Sequence, residues 1–232
     1  MEKMQIPLVA REQLANYLEM SGAILYSSHQ TLQKGDIYLL GFNPGGGEDE
    51  TLAKAIDGML SATGNAYLDQ DWSGPRRTYG KGGAPLQKRV SWLLDALGYE
   101  PGRVCASNLI FMRSRSSAMI PFDYADICWP VHQAVLDVVR PKLILAFGNS
   151  ARSPYAYLKG RFGDSREDEI HAGHGNWKVK GCSLLVREGQ RIYLAALPHL
   201  SYYSPIGKAD IVAWLKGKLQ DAELPAAGAV DG

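Results

Sequence analysis

Long apolar runs are missing from the sequence: none approaches the roughly 20 residues that a membrane-spanning helix needs. The opening "MEKMQIPLVAREQ" lacks the charged-then-apolar layout of a secretion signal, so a cytoplasmic protein with no membrane partner is expected. Cysteine is scarce. Cys105, Cys128 and Cys182 are odd in number, far apart and in no CxxC pairing, which argues for reduced, buried thiols. Neither repeats nor a Pro/Gly/Ser-rich linker interrupt the 232 residues, so one domain is expected, with the tail "LPAAGAVDG" frayed. Net charge is nearly absent too, at +1. Its distribution says more: from Arg76 to Arg115 eight basic residues face two acidic ones, which suits a local polyanion contact or a solvated basic face.

What is present is alternation. The apolar runs "DIYLLGF", "RVCASNLIF", "KLILAFG" and "RIYLAALP" each suit a buried strand. Between them lie helical patterns over residues 51–61, 86–97, 130–139, 151–158 and 209–219, with an amphipathic stretch over 9–18 before the first strand. This pattern predicts an α/β fold, a three-layer α/β/α sandwich around a mainly parallel four-stranded sheet. Residues 160–190 read as a loop with a hairpin. Ligands of open parallel sheets bind at the carboxyl ends of the strands. The exits here carry Asn43-Pro44-Gly45-Gly46, Asn108, Gly148-Asn149 and His199.

The stretch "YLLGFNPGGGEDE", Tyr38 to Glu50, admits three readings: a phosphate cradle, a plain turn, or a catalytic loop. The cradle fails, because the Walker lysine and the dinucleotide glycine spacing are both missing. Glu48, Asp49 and Glu50 would also repel phosphate, and instead suit the N-terminus of the following helix. Asn-Pro-Gly is ordinary turn chemistry. The end of the last strand shifts the balance toward catalysis: "AALPHLSYYSP" sets His199 among hydroxyls and aromatic rings that could pinch and stack a base.

Together "GFNPGG", "SNLIF" and "HLSYYS" resemble the three motifs of the uracil-DNA glycosylase superfamily, in order and each at a strand end. The first is similar to the Gly-x-Asn-Pro-Gly of its mismatch-specific and single-strand-selective branches. "RPKLILAFGNSA" is similar to the strand that lies between the second and third motifs, and the likeness runs from about Asp36 to Ser204. The resemblance implies a monofunctional DNA glycosylase of base excision repair, acting as a monomer on DNA that holds a damaged base, with no metal or organic cofactor.

It also implies roles. Cleaving an N-glycosidic bond leaves negative charge on the departing base, so a donor aimed at a base oxygen is valuable. That donor is His199. Asn43 orients the attacking water through its side-chain carbonyl, and Asn108 reads the base edge. Gly41, Phe42, Pro44 and Gly45 line the base pocket. Tyr203 is the wedge that replaces the flipped base. Tyr79 is the stacking ring, with Trp72 as second choice. Arg76, Arg77 and Lys81 in "WSGPRRTYGKGG" contact phosphate, and Ser201 adds a phosphate hydrogen bond.

The sequence departs from the pattern at Leu200, where the third motif normally has proline, and at Gly45, where the most uracil-strict branch carries a methyl-excluding tyrosine. Deaminated purines or mismatched pyrimidines are therefore expected beside uracil. His171 and His174 stand at metal-ligand spacing without a third ligand and read as a hairpin tip. Two rivals stay open: a non-catalytic binder of nucleic acid or a protein with the same fold, and a hydrolase of free nucleosides or nucleotides.

Overall fold

A computed structural model of the chain describes residues 1–46, 50–74, 77–187 and 190–221. The expected tail lies outside them, as do Glu48, Asp49 and Arg76. The strand runs fold as read: β1 is Ile37–Gly41, β4 Cys105–Asn108, β5 Leu143–Phe147 and β8 Gln190–Leu197. Every residue of β1, β4 and β5 is buried, which fits strands covered on both faces.

The sheet is larger than the four strands expected. Its order is β4-β1-β5-β8-β7-β6, and the first four strands pair in parallel. β6 (Gly163–His171) and β7 (Lys178–Arg187) form the expected hairpin, but the hairpin joins the sheet, because β7 pairs antiparallel with β8. Cys182, Leu184 and Val186 give β7 an apolar face to bury, and Val179 is buried on the other. The acidic run Glu167-Asp168-Glu169 dresses the outer strand. These residues pair with Lys159, Lys218 and Lys178 respectively, and charge of this kind guards an open edge against further pairing. A separate two-stranded ribbon, β2 (Trp72–Ser73) with β3 (Thr78–Tyr79), spans the long segment before the third helix.

Side chains alternate along the strands, so two apolar clusters form. Tyr38, Leu40, Ile144 and Ala146 pack with α1 (Ile6–Gln13), α2 (Leu52–Gly58), α4 (Tyr124–Val139) and α5 (Pro154–Phe162). Ile37, Leu39, Leu143 and Leu145 pack with α3 (Pro85–Leu97) and α6 (Ala209–Asp221). Helix α4 corrects the reading of Pro130 as a helix start. The helix begins six residues earlier, at Tyr124, and carries Pro130 inside it. Burial of Ala125, Cys128 and Trp129 on its apolar face outweighs the backbone hydrogen bond that proline forfeits. All three cysteines are free and buried, and burial pushes their thiols up to about 11, 12 and 11 for Cys105, Cys128 and Cys182. No described helix is long and apolar enough to cross a membrane.

His132 of α4 is fully buried, accepting from the Tyr38 hydroxyl at Nδ1 (2.9 Å) and donating from Nε2 to the Leu109 carbonyl (3.0 Å). Burial holds its imidazole down at about 4. The unfolded chain takes up that proton near the ordinary value of about 6.5, so stability is complete above that pH and is lost as pH falls toward 4. Between about pH 7 and about pH 4.5 this group alone should remove about 2–3 kcal/mol. Urea unfolding at both pH values should show that loss, and His132→Gln should flatten the slope in part. An unchanged slope in the variant would contradict the assignment.

Candidate active site

The carboxyl ends of the four parallel strands open on one edge, and register places the motif residues along it. Gly41 ends β1 directly opposite Asn108, which ends β4. A Cβ on Gly41 would overlap the Asn108 side-chain oxygen, so the glycine makes room for the amide. Asn108 is only 4% exposed, and its Nδ2 has no hydrogen-bond partner. An unpaired buried donor costs roughly 1–3 kcal/mol, which a folded chain tolerates most readily where a ligand can accept from it. The Tyr26 phenol sits beside Asn108 and Arg113, which both work against the rise in its pKa that burial causes.

Asn43 follows two residues after β1. Its Nδ2 donates to the Ser114 hydroxyl (2.8 Å) and to the carbonyls of Pro44 (2.9 Å) and Met112 (3.4 Å). The amide nitrogen is thereby committed, which leaves Oδ1 to accept from a ligand or water. Residues 113 and 114 brace the rest of the turn: Ser114 N–H donates to the Pro44 carbonyl (3.1 Å), and the Arg113 guanidinium donates to the Gly45 carbonyl. Gly45 faces open space, whereas Phe42 departs from expectation. Its ring turns into the core and stacks on Phe122 (6.0 Å between centroids), so only its backbone reaches the edge.

His199 stands two residues beyond β8. The backbone N–H of Ser201 donates to its Nδ1 (3.1 Å), so the neutral ring carries its proton on Nε2. Burial lowers the His199 pKa. Protonation would also set two N–H donors against each other at Nδ1, and thus the imidazole stays neutral near pH 7 with one donor to offer. Arg89 of α3 holds the loop from below, donating to the carbonyls of Leu200 (2.5 Å) and Ser201 (2.9 Å). Leu200, the residue in place of proline, is a fully buried anchor.

The same loop corrects the wedge. Tyr203 is 1% exposed and donates its hydroxyl to the Ala172 carbonyl (2.7 Å), so it ties the loop to the β6–β7 turn and cannot protrude. The His199 carbonyl accepts from both Tyr202 N–H (2.9 Å) and Tyr203 N–H (3.0 Å), a tight turn that sends Tyr203 inward and Tyr202 outward. Tyr202 is 79% exposed. Ser201 is exposed as well, but its backbone serves His199.

A cleft of about 360 Å³ adjoins His199 and Tyr202, floored by Gly148 and Asn149 and walled by Trp177 and Lys178 of the hairpin. On the β2–β3 ribbon Tyr79 stands across from Trp72, and the Arg77 guanidinium lies 4.4 Å above the Tyr79 ring, so two residues assigned to base and phosphate touch each other. Lys81 is exposed just beyond. In the hairpin tip His171 is engaged by its own turn, with Nδ1 accepting from Gly173 N–H (3.1 Å) and Nε2 bonded to the Gly175 carbonyl (2.6 Å). No cluster of three metal-ligating side chains occurs among the described residues.

Sequence reading missed Tyr26, Arg89, Arg113, Ser114 and Trp177. Arg89 and Arg113 were visible only as part of a basic count. Tyr26 and Trp177 stand in segments without periodicity, where nothing local says which way a ring points. No protein-family model matches the chain, and no curated protein matches it.

Gly41 and Gly45 make opposite demands. Gly41→Ala should destabilise the fold by about 1–3 kcal/mol, because the new methyl must displace Asn108. Gly45→Ala should leave the urea midpoint unchanged. Equal effects of the two substitutions would refute the close packing at Gly41.

Proposed function

We propose that the chain hydrolyses the N-glycosidic bond of uracil or another deaminated base in DNA, as a monofunctional glycosylase of the uracil-DNA glycosylase kind. The observation that carries the reading is the Ser201 hydrogen bond to His199 Nδ1, which leaves a neutral imidazole with an Nε2–H donor on the strand edge that also bears Asn43 and Asn108.

The chemistry follows from these groups. As the glycosidic bond breaks, electrons move onto the base, and His199 Nε2–H stabilises the oxygen where the charge gathers. A neutral donor suits this task, since it strengthens its hydrogen bond as charge develops and needs no proton loss beforehand. Asn43 Oδ1 accepts a hydrogen bond from water and holds it toward the electron-poor sugar carbon. An amide is a weak base, so this is positioning rather than proton abstraction. Asn108 supplies an unsatisfied donor for the base edge. Water adds to the sugar carbon and gives up a proton to solvent, the base departs as an anion that takes a proton from solvent, and an abasic site remains. Open space at Gly45 supports tolerance of bases beyond uracil. Exposed Arg77 and Lys81 on and beside the ribbon suit phosphate contacts, with Arg76 assigned alongside them from sequence alone. Helices packed on both faces of the sheet support the three-layer α/β/α arrangement expected of such enzymes.

His199→Ala and Asn43→Ala should each slow base release by about 100- to 1,000-fold, the usual loss for one charge-stabilising or orienting group. Circular dichroism should stay near that of the wild type in both, while Asn43→Ala gives up about 1 kcal/mol of stability with its turn hydrogen bonds. Full activity in both variants would sink the mechanism.

A further inference from the structure

The cleft beside His199 leads away from Asn43. Strand order sets β5 between β1 and β8, with β7 beyond, so the cleft continues the catalytic edge outward over β5, β8 and the hairpin. Asn149 locks floor to wall, donating from Nδ2 to the carbonyls of Lys178 (2.7 Å) and Ala196 (3.3 Å). Two large rings border this space with much of their surface bare: Trp177 is 40% exposed and Tyr202 79%. Each is braced by other rings. Trp177 meets His174 edge-on at 4.8 Å and Tyr203 at 6.3 Å, and Tyr202 meets His199 at 6.0 Å. Lys178 and Lys180 line the same cleft, and among the described residues no acidic side chain does. The carboxylates that pair with them, Glu169 and Glu167, stand on the neighbouring strand β6.

Braced, half-bare rings beside lysines form a stacking platform with a positive border, the arrangement that binds single-stranded nucleic acid. Bases in a duplex are stacked on each other and cannot meet such rings. The volume of about 360 Å³ suits one planar base. We propose that this cleft is a subsite for the unpaired nucleotide that flanks the excised one, with its base against Trp177 and Tyr202 and its phosphate near Lys178 and Lys180. The preferred substrate is then single-stranded DNA. The position of the subsite relative to the excised base rests on the glycosylase reading; binding to the platform does not.

The test is equilibrium binding of the full chain to single-stranded oligothymidylate and to a duplex of equal length at one fixed salt concentration. Tryptophan fluorescence and anisotropy give the readout. The wild type should bind the single strand more tightly, with quenching of the exposed tryptophan. Trp177→Ala and Tyr202→Ala should each weaken single-strand binding about 5- to 100-fold and change duplex binding less than about twofold. Trp177→Phe should keep most of the affinity and lose the quenching. The turn's own bonds at residue 177 are made by backbone, so these side-chain changes should leave the fold intact. Wild-type affinity in both alanine variants, or equal losses on the two DNA forms, would overturn the subsite. Base release without ring-dependent binding refutes the platform and keeps the glycosylase; ring-dependent binding without base release does the reverse.

Discussion

A backbone N–H can only donate, and at Ser201 this sets the chemistry of the strand edge. Because Ser201 donates to Nδ1, His199 must accept there and hold its proton on Nε2. Two further constraints keep the geometry in place. Arg89 grips the carbonyls of Leu200 and Ser201, and the buried Leu200 and Tyr203 side chains pin the loop to the core. His199, although on a loop, is thus held from three sides. Loss of any one support would let the ring turn, and a donor that wanders is worth little.

The opposite half of the edge is built by exclusion. Gly41 gives up a side chain so that Asn108 can lie over it, and the 112–114 segment occupies the Asn43 amide nitrogen so that the carbonyl end remains. The first device costs stability twice, through a glycine at the end of a central strand and through the unpaired buried donor of Asn108. Such costs, borne together at one strand end, are characteristic of sites shaped for a ligand rather than for folding.

Much of the fold was legible in the sequence, because apolar runs of strand length between amphipathic helices leave few alternatives. The four parallel strands fell where the runs lay, and the hairpin fell between 160 and 190. Whether that hairpin stood apart or joined the sheet depended on long-range pairing between β7 and β8, which no local pattern carries. Pro130 misled because proline is equally at home at a helix start and tolerated inside a helix anchored by burial. In the site, the asparagines and the histidine were legible as unusual residues at strand exits. Tyr202 and Tyr203 were not separable: a turn one residue tighter exchanges which ring is buried, and adjacent tyrosines look alike in sequence. Arg89 reaches the site from 110 or more positions away in the chain, a contact only the folded protein can show.

A neutral, oriented histidine, an oriented amide and a buried amide with an unpaired donor stand along one strand edge, with exposed rings beside it. The proposed function has this edge release a base from DNA. The most direct measurement is base excision by the wild-type protein on labelled oligonucleotides carrying uracil, a thymine mismatch, hypoxanthine or xanthine, single- and double-stranded, followed by alkali. The proposed function requires strand breakage after alkali at uracil or another deaminated base and none before it, with free base in solution. Intact strands throughout, from folded protein that still binds the oligonucleotides, would contradict it.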